Sequence, residues 1–206
     1  MTVAPRIAVV DYGMGNRRSV QKALEHVGAA ATITSDHDQI SAADGVVVPG
    51  VGAFPLAMRN LKRLELPDLI RARAGEGAPT LGICLGMQLL FERSAELEAT
   101  DGLGLLRGEV TPLRAGGLPV PHIGWNEVSF ERESTLTAGL PAAGCAFYHV
   151  HSLAPRPADP EDIVGCTEYG ERFATVVARG SVFGVQFHPE KSQRTGFQLL
   201  KNFLSV

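Results

Sequence analysis

The sequence predicts an α/β fold: an open, mostly parallel sheet with helices on both faces, continued by antiparallel strands in the C-terminal half. Three observations carry this expectation. Strand-length apolar runs alternate with helix-period segments as far as Glu92. Those early runs, such as "RIAVV" and "GVVVPG", are continuous rather than alternating, as in parallel strands buried on both faces. From Gly108 onward, short runs follow one another with only turn residues between them, as in hairpins.

In chain order, "RIAVVDYG" (6–13) reads as the first strand. Asn16 is placed to cap a helix in which Val20, Ala23, Leu24 and Val27 recur at helical spacing, and Gly28 stops it. "AATIT" (30–34) is a second strand, and "DGVVVPGVG" (44–52) a third, closed by Pro49, Gly50 and Gly52. Phe54, Met58 and Leu61 mark an amphipathic helix. "APTLGIC" (78–84) is a fourth strand, with a helix predicted over Leu85 to Glu92. "GEVTPL", "NEVSF", "CAFYHVHSL", "DIVGCTEYG", "RFATVVARG" and "SVFGVQFHP" supply the antiparallel part. "PRPADP" (155–160) reads as a surface loop. Phe197, Leu200 and Leu204 form one stripe of a final helix.

A chain of 206 residues without an internal repeat or linker reads as one domain, 1–206. Its hydrophobic content of 45%, charged content of 20% and net charge of -3 exclude a broad electrostatic footprint for nucleic acid. The three cysteines, Cys84, Cys145 and Cys166, contain no C-x-x-C pair, which argues against a disulfide scaffold and a structural zinc site. "MTVAPRIAVVDYG" is not a signal peptide, and no apolar run is long enough for a bilayer, so the expected compartment is the cytoplasm, with no membrane association.

The chemistry is concentrated in "GICLG". A Gly-x-Cys-x-Gly turn between strand and helix has the shape of a nucleophile elbow. Flanking glycines remove side chains that would clash there, and a helix N-terminus favours a thiolate. The alternative is that Cys84 is a small buried hydrophobe, as most free cysteines are. A thiol nucleophile needs a proton shuttle. Of six histidines, His26 and His37 lie in polar, exposed stretches, whereas His188 ends a strongly apolar strand with Glu190 two residues on. In extended chain those two point to the same side, so Glu190 can hold the imidazole while its other nitrogen faces a thiol. His149 and His151 also share a strand face. They lack a third ligand of matching spacing, which favours a structural or substrate-edge role over a metal site. The loop at Pro49 to Gly52 is expected at the same carboxyl edge of the sheet, where ligands bind in open α/β folds. Trp125, in "PHIGWNEV", is either core or a partner contact on a Pro/Gly-flanked loop.

"GICLGMQLLFE", with "PGVGAF" before it and "GVQFHPEKS" after it, resembles the class I (triad) glutamine amidotransferases, whose fold is flavodoxin-like. "DYGMGNRRSV", "PHIGWNEV" and "FYHVHS" resemble more narrowly the glutaminase subunits of imidazole glycerol phosphate synthases. The resemblance implies that Cys84 attacks the glutamine side-chain amide, His188 moves protons and Glu190 orients His188. It implies an oxyanion loop at Gly50, Val51 and Gly52. Gln88, His151 and Ser152 match positions that hold the substrate. Asn16, Trp125, Tyr148 and Lys191 match positions facing a (β/α)8-barrel cyclase subunit, with which such subunits form heterodimers. It implies no cofactor and no metal. Two positions depart from the usual pattern, Arg17 and Leu153, and neither belongs to the triad.

Overall fold

The computed structural model describes residues 3–206. The first half alternates strands and helices: β1 (Arg6–Val10), α1 (Arg17–His26), β2 (Ala30–Thr34), α2 (His37–Ala42), β3 (Gly45–Gly50), α3 (Phe54–Arg63), α4 (Leu66–Gly75), β4 (Thr80–Cys84) and α5 (Leu85–Leu89). The second half is mostly strand: β5 (Phe91–Ser94), β6 (Thr100–Asp101), β7 (Leu106–Pro112), β8 (His122–Phe130), β9 (Cys145–His151), β10 (Leu153–Pro157), β11 (Ile163–Glu168), β12 (Arg172–Arg179) and β13 (Val182–Val185), closed by α6 (Gln193–Phe203). A nine-stranded sheet has the order β2-β1-β3-β4-β13-β12-β11-β8-β9. Its β2-β1-β3-β4-β13 part is parallel, and every pairing beyond β13 is antiparallel; the "SVFGVQFHP" strand, expected in the antiparallel part, therefore pairs parallel with β4 and antiparallel only with β12. A second sheet, β10-β7-β5-β6, was not anticipated from the sequence.

The continuous apolar runs are explained by burial on both faces. In β1, Ala8 and Val10 face a core built with Phe54, Met58 and Leu61 of α3 and Leu66 and Ile70 of α4. Ile7 and Val9 face the opposite core, with Val20, Ala23 and Leu24 of α1 and Leu199, Leu200 and Phe203 of α6. Truncating one of these, for example Leu200 to alanine, removes about 2–5 kcal/mol. The α6 stripe is therefore centred on Leu199, Leu200 and Phe203; Phe197 and Leu204 flank it, only partly buried.

Three local expectations are corrected. The helix after Cys84 ends at Leu89, and Glu92 lies in β5. From Leu89 onward the carbonyls accept from outside: Leu103 N–H donates to Leu89, Leu105 and Leu106 to Leu90, and Gly104 to Phe91. Pro155 to Pro157 belong to β10 rather than to a loop, pairing with Val110 to Gly108 of β7. Because β10 is an edge strand, its prolines cost no ladder bond on the open side. Trp125 sits in the middle of β8, opposite Tyr148 of β9, not in a loop. Among the described residues, no helix is long and apolar enough to cross a membrane.

Candidate functional site

The elbow is formed at the carboxyl end of β4. Cys84 adopts φ 55° and ψ -112°, a conformation that L-residues avoid and that costs about 1–3 kcal/mol. The flanking glycines are required for close backbone approach. A Cβ on Gly82 would come within 2.6 Å of the Gly86 carbonyl oxygen, and one on Gly86 within 1.7 Å of the Val48 carbonyl oxygen. The strained turn is thus wedged against β3. Gly50, the last residue of β3, pairs directly with Cys84. Its own missing Cβ leaves room for the Tyr12 hydroxyl, which would otherwise be 2.5 Å away. That hydroxyl donates to the Pro49 carbonyl at 2.6 Å. Burial, and then the neighbouring Cys84 charge, hold the Tyr12 phenol well above its usual pKa, so it remains a donor. Gly52 follows with φ +106°, and Val51 between them is exposed.

His188 arrives from β13 and is fastened by its backbone. Its N–H donates to the Tyr148 carbonyl at 2.9 Å, and its own carbonyl accepts from the Ser192 hydroxyl and the Lys191 N–H. Phe187 stacks on Phe147, their centroids 3.9 Å apart, so β9, last in the sheet order, curls back against the end of β13. His188 Nδ1 lies 2.8 Å from Glu190 Oε1, and the Glu190 carboxylate is fully enclosed. Burial alone would lower the His188 pKa. Hydrogen bonds to Cys84 and Glu190, and the charges of both, outweigh it and raise the value to about 10. The arrangement is a thiol, an imidazole touching it, and a buried carboxylate behind the imidazole.

Cys84, Val51, Gly52, Gln88, His151, Ser152, His188 and Lys191 line one cavity of about 290 Å³, at the small end of ligand-site sizes. The Cys84 thiol lies 3.6 Å from the Val150 carbonyl oxygen. Gln88 is buried and donates to Gln186 Oε1 at 3.0 Å. Trp125 and Tyr148 are in edge-to-face contact, and Lys191 Nζ stands 5.8 Å above the Tyr148 ring. Trp125 is 49% exposed and Ile123 60%, which leaves a free aromatic and apolar face beside the cavity. Asn16 occupies the N-cap position of α1 without capping it. Its amide donates instead to Glu190 Oε1 at 3.2 Å, so it braces the carboxylate that holds His188. Arg17 forms an ion pair with Asp11 of its own loop. His149 and His151 are buried, and no group of three potential ligands among the described residues could hold a metal ion.

Two further polar residues belong to the site. Gln186 is fully buried, with its amide 3.8 Å from the Cys84 sulfur. Its signal was a lone polar residue in the apolar run "VFGVQF". Glu96 lines the cavity and accepts from the Phe54 N–H at 2.6 Å. Nothing in "SAELEAT" announces it, because a loop carries no periodicity.

The class-I glutamine amidotransferase family pattern matches residues 8–206. The chain is 53% identical over 197 residues to the imidazole glycerol phosphate synthase subunit HisH of Moorella thermoacetica, covering 96% of this chain and 93% of that one. It is 52% identical over 202 residues to the subunit of the same name from Bacillus cereus, covering 97% and 94%. Among solved structures, PurLQS from Thermotoga maritima aligns with a TM-score of 0.79 at 21% identity, covering 98% of each chain. A second crystal structure, of a glutamine amidotransferase, aligns with a TM-score of 0.75 at 20% identity, covering 97% of this chain and 99% of that one. These two likenesses concern the fold. With a thiol elbow, a strand-end histidine and a buried glutamate inside the matched span, the chain belongs to the class I glutamine amidotransferase family, among the HisH subunits of imidazole glycerol phosphate synthase.

Proposed function

We propose that the chain, working as one domain, hydrolyses glutamine to glutamate and ammonia and delivers the ammonia to a cyclase subunit. The observation that supports this most is the assembly of Cys84, His188 and Glu190, from two distant parts of the sequence, with the thiol and the imidazole lining one small cavity and the carboxylate behind the imidazole. The Cys84 sulfur attacks the side-chain amide carbon while His188 takes the thiol proton and passes it to the departing nitrogen. Ammonia leaves, and Cys84 holds the glutamyl group as a thioester. Water, deprotonated by His188, then attacks the thioester, and glutamate departs as the thiol is restored. Glu190 keeps the imidazole aimed and stabilises its charged form. The backbone of Gly50, Val51 and Gly52 supplies N–H groups to the oxyanion. Gln88, His151 and Ser152 hold the amino-acid end, and the Glu96 carboxylate offers a counter-charge for its ammonium.

The partner in this reading is the (β/α)8-barrel cyclase of imidazole glycerol phosphate synthase, in a cytoplasmic heterodimer of histidine biosynthesis. It uses the ammonia to make imidazole glycerol phosphate and the aminoimidazole carboxamide ribonucleotide. Trp125, Tyr148 and Lys191 form the face toward it, and Asn16 links the α1 end of the chain to the triad carboxylate. The glycine-bounded oxyanion loop can exchange between peptide orientations at little steric cost. Partner binding then sets which orientation is populated. The experiment is steady-state glutamine hydrolysis by the chain alone, with the cyclase, and with cyclase plus its ribonucleotide ligand. An activation of about 10²–10³, the worth of one oxyanion donor, is expected across the series. Equal rates in all three would remove the gating, and no hydrolysis in any would remove the glutaminase assignment.

A further inference from the structure

Three buried histidines take no part in the proton transfers above: His151, which lines the cavity, and His122 and His149 next to it. His122 of β8 stacks between Tyr169, at 3.9 Å, and His149, at 4.9 Å. Its Nδ1 is 3.0 Å from His151 Nε2, and its Nε2 is 3.3 Å from Asn126 Nδ2. His151 Nδ1 is 2.8 Å from the Leu153 carbonyl oxygen. These contacts assign the protons one by one. A carbonyl only accepts, so His151 Nδ1 carries a hydrogen. Burial pushes the His151 pKa down to about 4, so the ring is neutral at pH 7 and Nε2 is an acceptor. His122 Nδ1 must then be the donor between the two rings. Burial also lowers the His122 pKa, so its Nε2 is an acceptor, and it faces an amide nitrogen. The second hydrogen of that amide goes to the Glu168 carbonyl at 2.9 Å. The chain Asn126 to His122 to His151 to Leu153 therefore runs in one direction with every donor matched to an acceptor.

We propose that His122 is a positioning residue for glutamine hydrolysis: it fixes the Nδ1–H tautomer of His151 and so holds the turn from Val150 to Leu153 that walls the cavity beside Cys84. The proposal rests on the glutaminase reading. The turn matters because the Val150 carbonyl faces the thiol, Ser152 lines the cavity, and Gln88 reaches the Leu153 carbonyl at 3.5 Å. With the opposite tautomer, His151 Nδ1 would present a lone pair to the Leu153 oxygen at hydrogen-bond distance, and the turn would lose its clamp. The origin of the chain, Asn126, is the neighbour of the exposed Trp125 on β8. The positioning device thus starts on the strand that carries the free aromatic face.

Two measurements test this on the full chain with its cyclase. Long-range proton–nitrogen correlation on histidine-labelled protein reads each ring directly. At pH 7, His122 and His151 are expected neutral and protonated on Nδ1; either ring charged, or protonated on Nε2, overturns the proposal. The second measurement is glutamine hydrolysis by His122→Leu and His122→Asn. Losing one buried hydrogen bond should lower kcat/KM of the leucine variant about tenfold, mainly through KM, with His151 passing to a mixture of tautomers. Asparagine places an amide nitrogen where Nδ1 stood and should restore both the rate and the tautomer. A leucine variant as active as the unaltered chain, or an asparagine variant as impaired as the leucine one, overturns the positioning role. Absence of hydrolysis by the unaltered chain would instead overturn the glutaminase reading beneath it, a result the variants cannot mimic.

Discussion

The two sides of the cavity are held by different physics. Cys84, on the parallel side, is held by backbone: a φ of 55°, glycines at 82 and 86 with no space for a Cβ, and direct pairing with Gly50. His188, just past β13 and packed against β9, is held by hydrogen bonds with residues distant in sequence, Tyr148 and, through Glu190, Asn16, and by the Phe147–Phe187 stack. Steric exclusion between the elbow and the backbone of β3 fixes the nucleophile. The imidazole owes both its place and its raised pKa to tertiary partners. A steric device fails abruptly when a group is added, whereas a hydrogen-bonded one fails by degrees and with pH.

The largest loss is expected at the thiol. Cys84→Ala should abolish glutamine hydrolysis, a loss on the order of 10⁶-fold, with His188→Ala close behind and Glu190→Gln on the order of 10⁴-fold down. Cys145→Ala and Cys166→Ala should retain activity, since both thiols lie outside the cavity. Initial rates of ammonia release rank the five variants, and wild-type behaviour of Glu190→Gln would reduce that carboxylate to packing.

Gly86→Ala tests the steric side alone. With the Val48 carbonyl oxygen 1.7 Å from the new Cβ, the elbow must move. We expect a loss of about 3 kcal/mol in denaturant unfolding, at the upper end of overpacking costs. An unchanged midpoint would mean that the turn is not wedged.

The hydrogen-bonded side responds to pH. His188 has a folded pKa raised from 6.5 to about 10, so the stability it contributes is fully present below 6.5 and lost as pH rises through about 10. His151 is shifted the other way, from 6.5 to about 4, chiefly by burial. The unfolded chain takes up that proton first, so stability falls as pH drops below 6.5, and the loss is complete below about 4. Melting temperatures of the unaltered chain, His188→Gln and His151→Gln across this range should show the His188 advantage shrinking on the alkaline side only. The His151 variant should have a shallower acid limb. Parallel curves would contradict both assignments.

The smallest expected effect on the isolated chain is that of Trp125→Ala. Half exposed and touching Tyr148 only at its edge, Trp125 should change unfolding free energy by no more than about 0.5 kcal/mol. The same change should weaken cyclase association by about 2 kcal/mol, as for a central aromatic contact, measured by titration calorimetry. Equal binding would leave that face without a partner role.

The strands β1 to β4, the helices α1 and α3 and the elbow were legible in the sequence, because each is written in contiguous residues. Apolar runs such as "RIAVV" reflect two-sided burial, and "GICLG" and "HPE" carry their geometry within five residues or fewer. Contacts between distant parts of the chain settle the rest. They end α5 at Leu89, where the carbonyls of residues 89 to 91 turn to N–H groups of residues 103 to 106, and they place Pro155 to Pro157 in an edge strand. They turn Asn16 from a cap into a brace for Glu190, and bring Gln186, Glu96 and the three buried histidines behind or around one thiol. A buried polar side chain is defined by its partner. When that partner lies tens of residues away, no periodicity or spacing can encode the pair, and only the folded chain supplies it.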